Sequence, residues 1–564
     1  MKIISQLKSI KKLSFKSIFN LFNLAVFLLI ISISRMVDYA PMELIKTSFI
    51  LLSSYILFVY HYKRYNYSTE KKNVGSFKTK LINYSSKKDI LALLLLVSWV
   101  VFFFIINTLL FNGYRHHDTV GYLEAPHINF QMWGTRFFPF AHQEFNFISH
   151  NLYVIRSLIS LEFIACIYFL NKIIPLKYFW QRALSIILIT LSPCFFISYI
   201  EIIVNDRNVI FFTILFVYNL MKFHKEQKFI NLAAILIFAN IAIYYKEPVF
   251  GFFAIFAVTS LLGKFFNKEF SFKYPFKSPI KFIMKYPIEI GLLILSSMFV
   301  VNYLLFTASL SGEGYASPTF NMSFLREDLT SLMFGLIIFI YILNIRYKLI
   351  KNSIHLPMLF GGFAYLILVL LNISIGITSL YYKCMFDITI ALSLFFIISQ
   401  IKVFYKLKFF IVCIFIIIAA NSIKLNFNYY KYVTLYEIQS GSLENYFKNE
   451  KENIDIKKRI FTNYNSGYRE RIFLINITKN IPIDNIEYYS PNACVPYNND
   501  KKCKKGTLLS RYDYVIIYRE MMSEKDFDDL NKNYNLEKIS NYPKFLKAIN
   551  KDIYIIKDYN YIKK

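Results

Sequence analysis

The chain has 564 residues, a mean hydropathy of +0.40, 56% hydrophobic residues and only 18% charged ones. Soluble domains carry about 25% charged and about 45–50% apolar residues, so a wholly soluble protein is excluded. The net charge of +29 would suggest nucleic acid on a soluble chain, but membrane proteins gather Lys and Arg in their cytoplasmic loops, and that source must be counted first.

A membrane span needs roughly 20 apolar residues. Thirteen such runs lie near 18–34, 44–61, 90–111, 153–171, 183–200, 208–221, 229–245, 249–263, 287–308, 331–345, 356–378, 385–401 and 409–424. The first follows Lys2, Lys8, Lys11, Lys12 and Lys16 with no small-residue cleavage site after it, so it reads as a retained anchor. With the N-terminus cytoplasmic, the inner loops 1–16, 62–88, 172–182, 222–228, 264–286, 346–352 and 402–408 hold 31 Lys and Arg. The outer loops 35–43, 112–152, 201–207, 246–248, 309–330 and 379–384 hold 7. That asymmetry predicts a multi-pass plasma-membrane protein with its C-terminal part outside the cytoplasm. It also removes nucleic acid as a partner, since much of the positive charge is topological.

The expected fold is a polytopic α-helical domain over 1–424 followed by an extracytoplasmic α/β domain over 425–564. In the tail, Arg511–Tyr518 and Ile553–Ile556 read as strands and Ser523–Lys532 as a helix. Cys494 and Cys503 both lie there, and an oxidising exterior would allow either a disulfide or two thiols. The six cysteines show no CxxC or zinc spacing.

Loop 112–152 is the densest place for chemistry. It holds five of the eight histidines (His116, His117, His127, His142 and His150), with Asp118, Glu124, Glu144, Arg115 and Arg136. A solvated hairpin with aromatics at headgroup level is the bland reading. A plain connector rarely needs such length, and long ordered loops tend to carry sites. Asp118 is the leading candidate, because it follows an apolar helix where a carboxylate faces both water and a lipid-borne substrate. In a helix, Tyr122 at i+4 would share its face. The histidines show no ligand spacing for zinc.

Four further features lie on outer loops or within spans. Glu201, Asp206 and Arg207 form an acidic turn that suits an oxygen-preferring cation, Mg²⁺ or Mn²⁺, or else a local ion pair. Lys246 and Glu247 precede Pro248, which would start the next helix; a snorkelling cap is the bland alternative. Lys383 and Asp387 are an i,i+4 pair. Glu162 lies within a span with Arg156 nearby, and an intramembrane carboxylate is a functional suspect by default. Acids can deprotonate a hydroxyl or hold a metal, and cations can neutralise a phosphate leaving group. The combination suits transfer from a lipid phosphate.

This layout resembles the GT-C superfamily of membrane glycosyltransferases. The resemblance rests on His117-Asp-Thr-Val-Gly-Tyr122 in a large outer loop, on the acidic candidates Glu201 and Asp206, and on Lys246-Glu247 at the outer start of a helix. Trp133-Gly-Thr-Arg-Phe-Phe-Pro139 is similar to an element of bacterial surface-polysaccharide glucosyltransferase-like proteins. Here the acidic loop follows the third apolar run rather than the first, and it lacks an Asp-Asp or Asp-Glu dipeptide. The resemblance implies a polyprenyl-phosphate sugar donor, a glycan, lipid or protein acceptor, and transfer with inversion. It implies Asp118 as general base and Lys246, Arg207 or Lys383 as partners of the departing phosphate. Tyr122, Glu124, Arg136, His142, Glu144 and Glu247 would contact substrate, and Glu201 and Asp206 would hold a divalent cation or orient Arg207. A lipid-linked polysaccharide polymerase or ligase would be expected to carry an arginine-rich outer loop, whereas loop 112–152 has two arginines. A transporter or flippase would show pseudo-symmetric halves and Gly/Pro-broken midplane helices.

Overall fold

The computed structural model describes residues 52–53, 55–57, 59–60, 87–109, 152–200, 206–271, 273–304, 337, 355–372, 382–400, 405–449, 459–463, 486–488, 514–540 and 552–558. Loop residues 112–151, with Asp118, Tyr122, Glu124, Arg136, His142 and Glu144, lie outside this set, as do Glu201, Cys494 and Cys503.

The membrane part is a bundle of helices. In chain order these are α1 (Lys87–Leu109), α2 (Leu152–Ile173), α3 (Phe179–Thr190), α4 (Pro193–Ile200), α5 (Asp206–Glu226), α6 (Phe229–Tyr245), α7 (Val249–Phe266), α8 (Tyr274–Lys277), α9 (Pro279–Lys285), α10 (Pro287–Asn302), α11 (His355–Asn372), α12 (Cys384–Gln400) and α13 (Tyr405–Asn449). Among the described residues, three helices are long and apolar enough to cross a bilayer alone: Lys87–Ile105, Val154–Ile173 and Val249–Phe266. The number is five if the bent pairs α3/α4 and α9/α10 each count as one span.

Helix α1 shows how the bundle meets lipid. Leu91, Leu94, Val97, Val101 and Phe102 are exposed, while Ala92, Leu96 and Phe103 are buried at helical spacing. On the buried side Phe103 stacks on Phe163 of α2 at 3.9 Å, and Trp99 Nε1 donates to Thr190 Oγ1 of α3 at 2.9 Å. At the other end, Asp89 accepts from the Trp180 N–H at 3.1 Å, satisfying one of the orphan donors at the start of α3.

Run 183–200 is not one straight span. It bends by 69° between α3 and α4. Ser192-Pro193 explains the break, since proline disfavours helix in the residue before it and supplies no N–H. Ser192 restarts the helix as its cap, with its carbonyl accepting from Phe196 at 2.9 Å. The Leu191 carbonyl, at the break, accepts from Asn426 Nδ2 of α13 at 2.7 Å. A backbone break inside a membrane protein is tolerable when the freed groups find such partners. All eight residues of α4 are buried.

Gly361 and Gly362 let α11 approach neighbours on two sides. A Cβ on Gly361 would lie 2.8 Å from the Phe252 carbonyl of α7, and one on Gly362 would lie 2.2 Å from Thr389 Oγ1 of α12. Small residues at such contacts let helix backbones close in where lipid offers no hydrophobic drive. Gly361→Val should therefore lower stability by about 1–3 kcal/mol, the usual cost of overpacking, because the obstructing atom is backbone and cannot swing away. Thermal unfolding of the purified protein in detergent reads this directly.

Helix α13 spans 45 residues without interruption, so the helix that carries the last apolar run, 409–424, continues to Asn449. At 1.5 Å per residue it is about 65 Å long, roughly twice a bilayer core, so it carries the chain well clear of the membrane. Its last turns, with Leu443 and Phe447, pack on a five-stranded sheet. The strands are β1 (Ile460–Thr462), β2 (Ile486–Tyr488), β3 (Tyr514–Tyr518), β4 (Asn535–Lys538) and β5 (Ile553–Asp558), in the order β2-β1-β3-β5-β4. β1 pairs in parallel with β2 and β3, whereas β5 runs antiparallel to β3 and β4. Central β3 reads Tyr-Val-Ile-Ile-Tyr and is buried throughout. Its even side (Tyr514, Ile516, Tyr518) meets α13, and its odd side (Val515, Ile517) meets Leu530 of α14 (Glu524–Asn533). That two-sided burial accounts for a continuous apolar run rather than an alternating one. Ser523 caps α14 by accepting from the Asp526 N–H at 3.1 Å.

Candidate active site at one end of the bundle

The chain turns from α5 to α6 through Gln227 and Lys228 alone, with Gln227 at a left-handed φ of 49°. So short a connection forces antiparallel packing, and the first residue of α5 meets the residue after α6. Asp206 and Lys246 are therefore brought together although 40 positions separate them, and they form a buried ion pair. The next element starts at once, because the Lys246 carbonyl accepts from the Val249 N–H at 3.1 Å. Glu247 sits half-buried in that turn.

The pair is closed by two tyrosines. The Lys246 ammonium lies over the Tyr382 ring at 3.8 Å from its centroid. A cation facing an aromatic ring gains about 2 kcal/mol or more when desolvated. The Tyr365 hydroxyl on α11 lies 2.9 Å from the Tyr382 carbonyl and 3.3 Å from Asp206 Oδ1. With one proton to give, it favours the shorter contact, so it pins the Tyr382 backbone while it borders the carboxylate. Lys383 follows directly and is fully buried, with Nζ 3.7 Å from Asp387 Oδ1. The i,i+4 spacing read from the sequence is thus realised as a contact. The other Asp387 oxygen accepts from the Cys194 thiol of α4.

Arg207 turns to a different face of α5, since successive helix positions are about 100° apart. Its Nε lies 3.5 Å from Glu162 of α2. Glu162 also accepts from the Tyr199 hydroxyl at 3.3 Å, and that hydroxyl lies 2.8 Å from the Cys166 sulfur. Among the described residues Glu162 engages Arg207; Glu201, also expected to orient it, lies outside them. Asp206 is engaged instead by Lys246 and Tyr365.

Three cations, Arg207, Lys246 and Lys383, are thus buried at one end of the bundle, each beside a carboxylate. A buried charge is costly unless it is paired, and each of these has a carboxylate within 4.0 Å. The level is set by Glu162, ten residues into α2, or about 15 Å below its first residue. The cluster therefore lies beneath the end where α1 stops and α2 starts, the end joined by residues 110–151. The opposite end gathers Lys87, Lys88, Lys172, Lys177, Arg182, Lys222, Lys225 and Lys228. Among the described residues, no group of three or more His, Cys, Asp or Glu is disposed to hold a metal. Tyr199, Tyr365, Tyr382 and Cys194 carried no spacing signal. Only their place beside candidate charges in the folded bundle reveals them.

No family model matches the chain, and no curated protein matches it. Among solved structures it is similar to the crystal structure of ArnT from Cupriavidus metallidurans bound to undecaprenyl phosphate. The identity is 8%, the match covers 82% of this chain and 97% of that one, and the TM-score is 0.44.

Proposed function

We propose that the protein is a multi-pass plasma-membrane glycosyltransferase that moves a sugar from a polyprenyl-phosphate carrier to an extracytoplasmic acceptor. The observation that carries this reading is the buried triad of Arg207, Lys246 and Lys383, each paired with a neighbouring carboxylate. Charge bias in the loops sets the orientation, with the lysine-rich end cytoplasmic and the triad toward the outer leaflet. No nucleotide or ATP is expected there, so a lipid phosphate is the natural activated donor.

In the proposed reaction the acceptor hydroxyl gives its proton to Asp118, and its oxygen attacks the anomeric carbon from the face opposite the phosphate. The anomeric C–O bond to the phosphate breaks with inversion, and the polyprenyl phosphate leaves with the bonding electrons. Lys246, Arg207 or Lys383 receives its new charge. Preorganised cations in a dry site act strongly on such charge because nothing must reorganise. Arg136, His142, Glu144, Glu124, Tyr122 and Glu247 would orient donor or acceptor. A Mg²⁺ or Mn²⁺ ion held by Glu201 and Asp206 would help bind the phosphate, in which case Asp206 would have to exchange Lys246 for the metal.

The test is incubation of the purified protein with defined polyprenyl-phosphate sugars and candidate acceptors, with mass spectrometry of the products. We expect release of polyprenyl phosphate together with an acceptor heavier by one glycosyl unit. Intact donors throughout, with properly folded protein, would remove the transferase reading.

A further inference from the structure

The segment between α7 and α10 is a folded elbow rather than a plain connector. Lys268 has a left-handed φ of 60°, and the Glu269 N–H returns to the Lys264 carbonyl at 3.0 Å, which ends α7 in a tight turn. The chain then passes through α8 and α9 and enters α10 at a bend of 102°. A small aromatic core holds it: Phe270 lies 5.2 Å from Phe282 and 5.3 Å from Tyr286, and Tyr274 lies 6.0 Å from Phe282. At its base Glu289 pairs with Lys264 and accepts from Ser260 Oγ at 2.8 Å.

The outside of this elbow has an unusual composition. Phe266 and Phe276 are 75% and 77% exposed although the element has its own aromatic core, and Ile280 is exposed as well. Lys268, Lys273, Lys277, Lys281 and Lys285 are all exposed around them, and Glu269 is the only acid between 264 and 286. Because α9 runs nearly perpendicular to α10, it lies across the bundle axis rather than along it. Bulky apolar side chains with a rim of lysines, on a helix lying across the axis of a membrane bundle, match an element resting in the headgroup layer.

We infer that residues 266–285 form a docking surface for anionic phospholipid headgroups on the leaflet that faces the lysine-rich end. Phe266, Phe276 and Ile280 enter the acyl boundary, and Lys273, Lys277 and Lys281 meet headgroup phosphates. Charge complementarity selects the occupant, since five exposed lysines against one acid have no counterpart in a zwitterionic surface. This inference does not depend on the transferase reading, and its test uses no turnover.

The test uses the full chain in nanodiscs of phosphatidylcholine with and without phosphatidylglycerol. Lipid retained by the protein is counted by mass spectrometry, and the emission of F276W above the native tryptophans is followed with bromine-labelled lipid. Phosphatidylglycerol should be enriched on the wild-type chain, and high salt should reduce the enrichment. Each lysine near an anionic surface contributes about fivefold in affinity, so K273Q/K277Q/K281Q should weaken phosphatidylglycerol binding by about a hundredfold. K525Q/K532Q on the distant α14 should leave it unchanged, and F276W should be quenched. These lysines are exposed, so the triple variant should keep the wild-type unfolding temperature in phosphatidylcholine. Equal retention of both lipids, enrichment that survives the triple substitution, or F276W emission untouched by bromine would each overturn the inference.

Discussion

Lys246→Met should lower stability by about 3–5 kcal/mol and abolish transfer. The stability loss follows from burial: removing one member of a buried ion pair leaves the other charge without compensation. Asp206→Asn should cost a similar amount, softened because the Tyr382 ring still faces the ammonium. The double variant K246M/D206N separates structure from function. Replacing both charges is often neutral for folding, so it should recover most of the lost stability. Its transfer activity should remain absent, because no ammonium is left to receive the phosphate. Thermal unfolding in detergent and release of polyprenyl phosphate measure the two effects on the same samples. A double variant that regained both would make the pair a folding device and leave Arg207 and Lys383 as the phosphate partners.

Such pairing was only partly legible in the sequence. The apolar run 229–245 coincides with helix α6, and the short turn before it predicts antiparallel neighbours, which places residue 206 near residue 246. The Lys383–Asp387 contact followed from helical spacing alone. The partner of Glu162 did not. Arg207 of α5, far along the chain, meets it because α5 starts at mid-depth of α2. Earlier in the chain the run 183–200 kinks at Ser192-Pro193. The dipeptide was a visible warning. What it could not convey is how far down the bundle the next helix would begin. Hydropathy counts lengths along the chain, whereas the site is defined by levels across it, and one bend of 69° decouples the two.

Asp206 and Arg207 are buried, away from the water that screens surface charges and makes exposed pairs contribute little. At the level of Glu162 they need partners: Glu162 of α2 meets Arg207, and Lys246 with Tyr365 of α11 meets Asp206. The charged groups therefore act as a preformed set rather than as side chains recruited by substrate.

Asp118→Asn should reduce transfer by about 10²–10⁴-fold, the usual contribution of an acting general base, while leaving the unfolding temperature unchanged. The position lies outside the described residues, but the chain fixes its reach. Phe103 of α1 touches the Tyr199 ring, with centroids 6.4 Å apart, and Tyr199 bonds to the Glu162 that engages Arg207. From there α1 rises six residues to Leu109, about 9 Å, and nine more residues span at most about 30 Å. Asp118 can therefore return over the triad, whereas a residue near the middle of the loop would be under no such tether. Loss of a base should lower kcat with little change in the KM for the donor, because the donor is held by the cations rather than by the base. The pH profile provides the sharper test. A working carboxylate must be ionised, so kcat/KM in the native enzyme should climb through its pKa and level off, and that limb should vanish in the Asn variant. Activity retained within a few fold, with the acidic limb intact, would transfer the role to Glu124 or Glu144, the other carboxylates of the same loop.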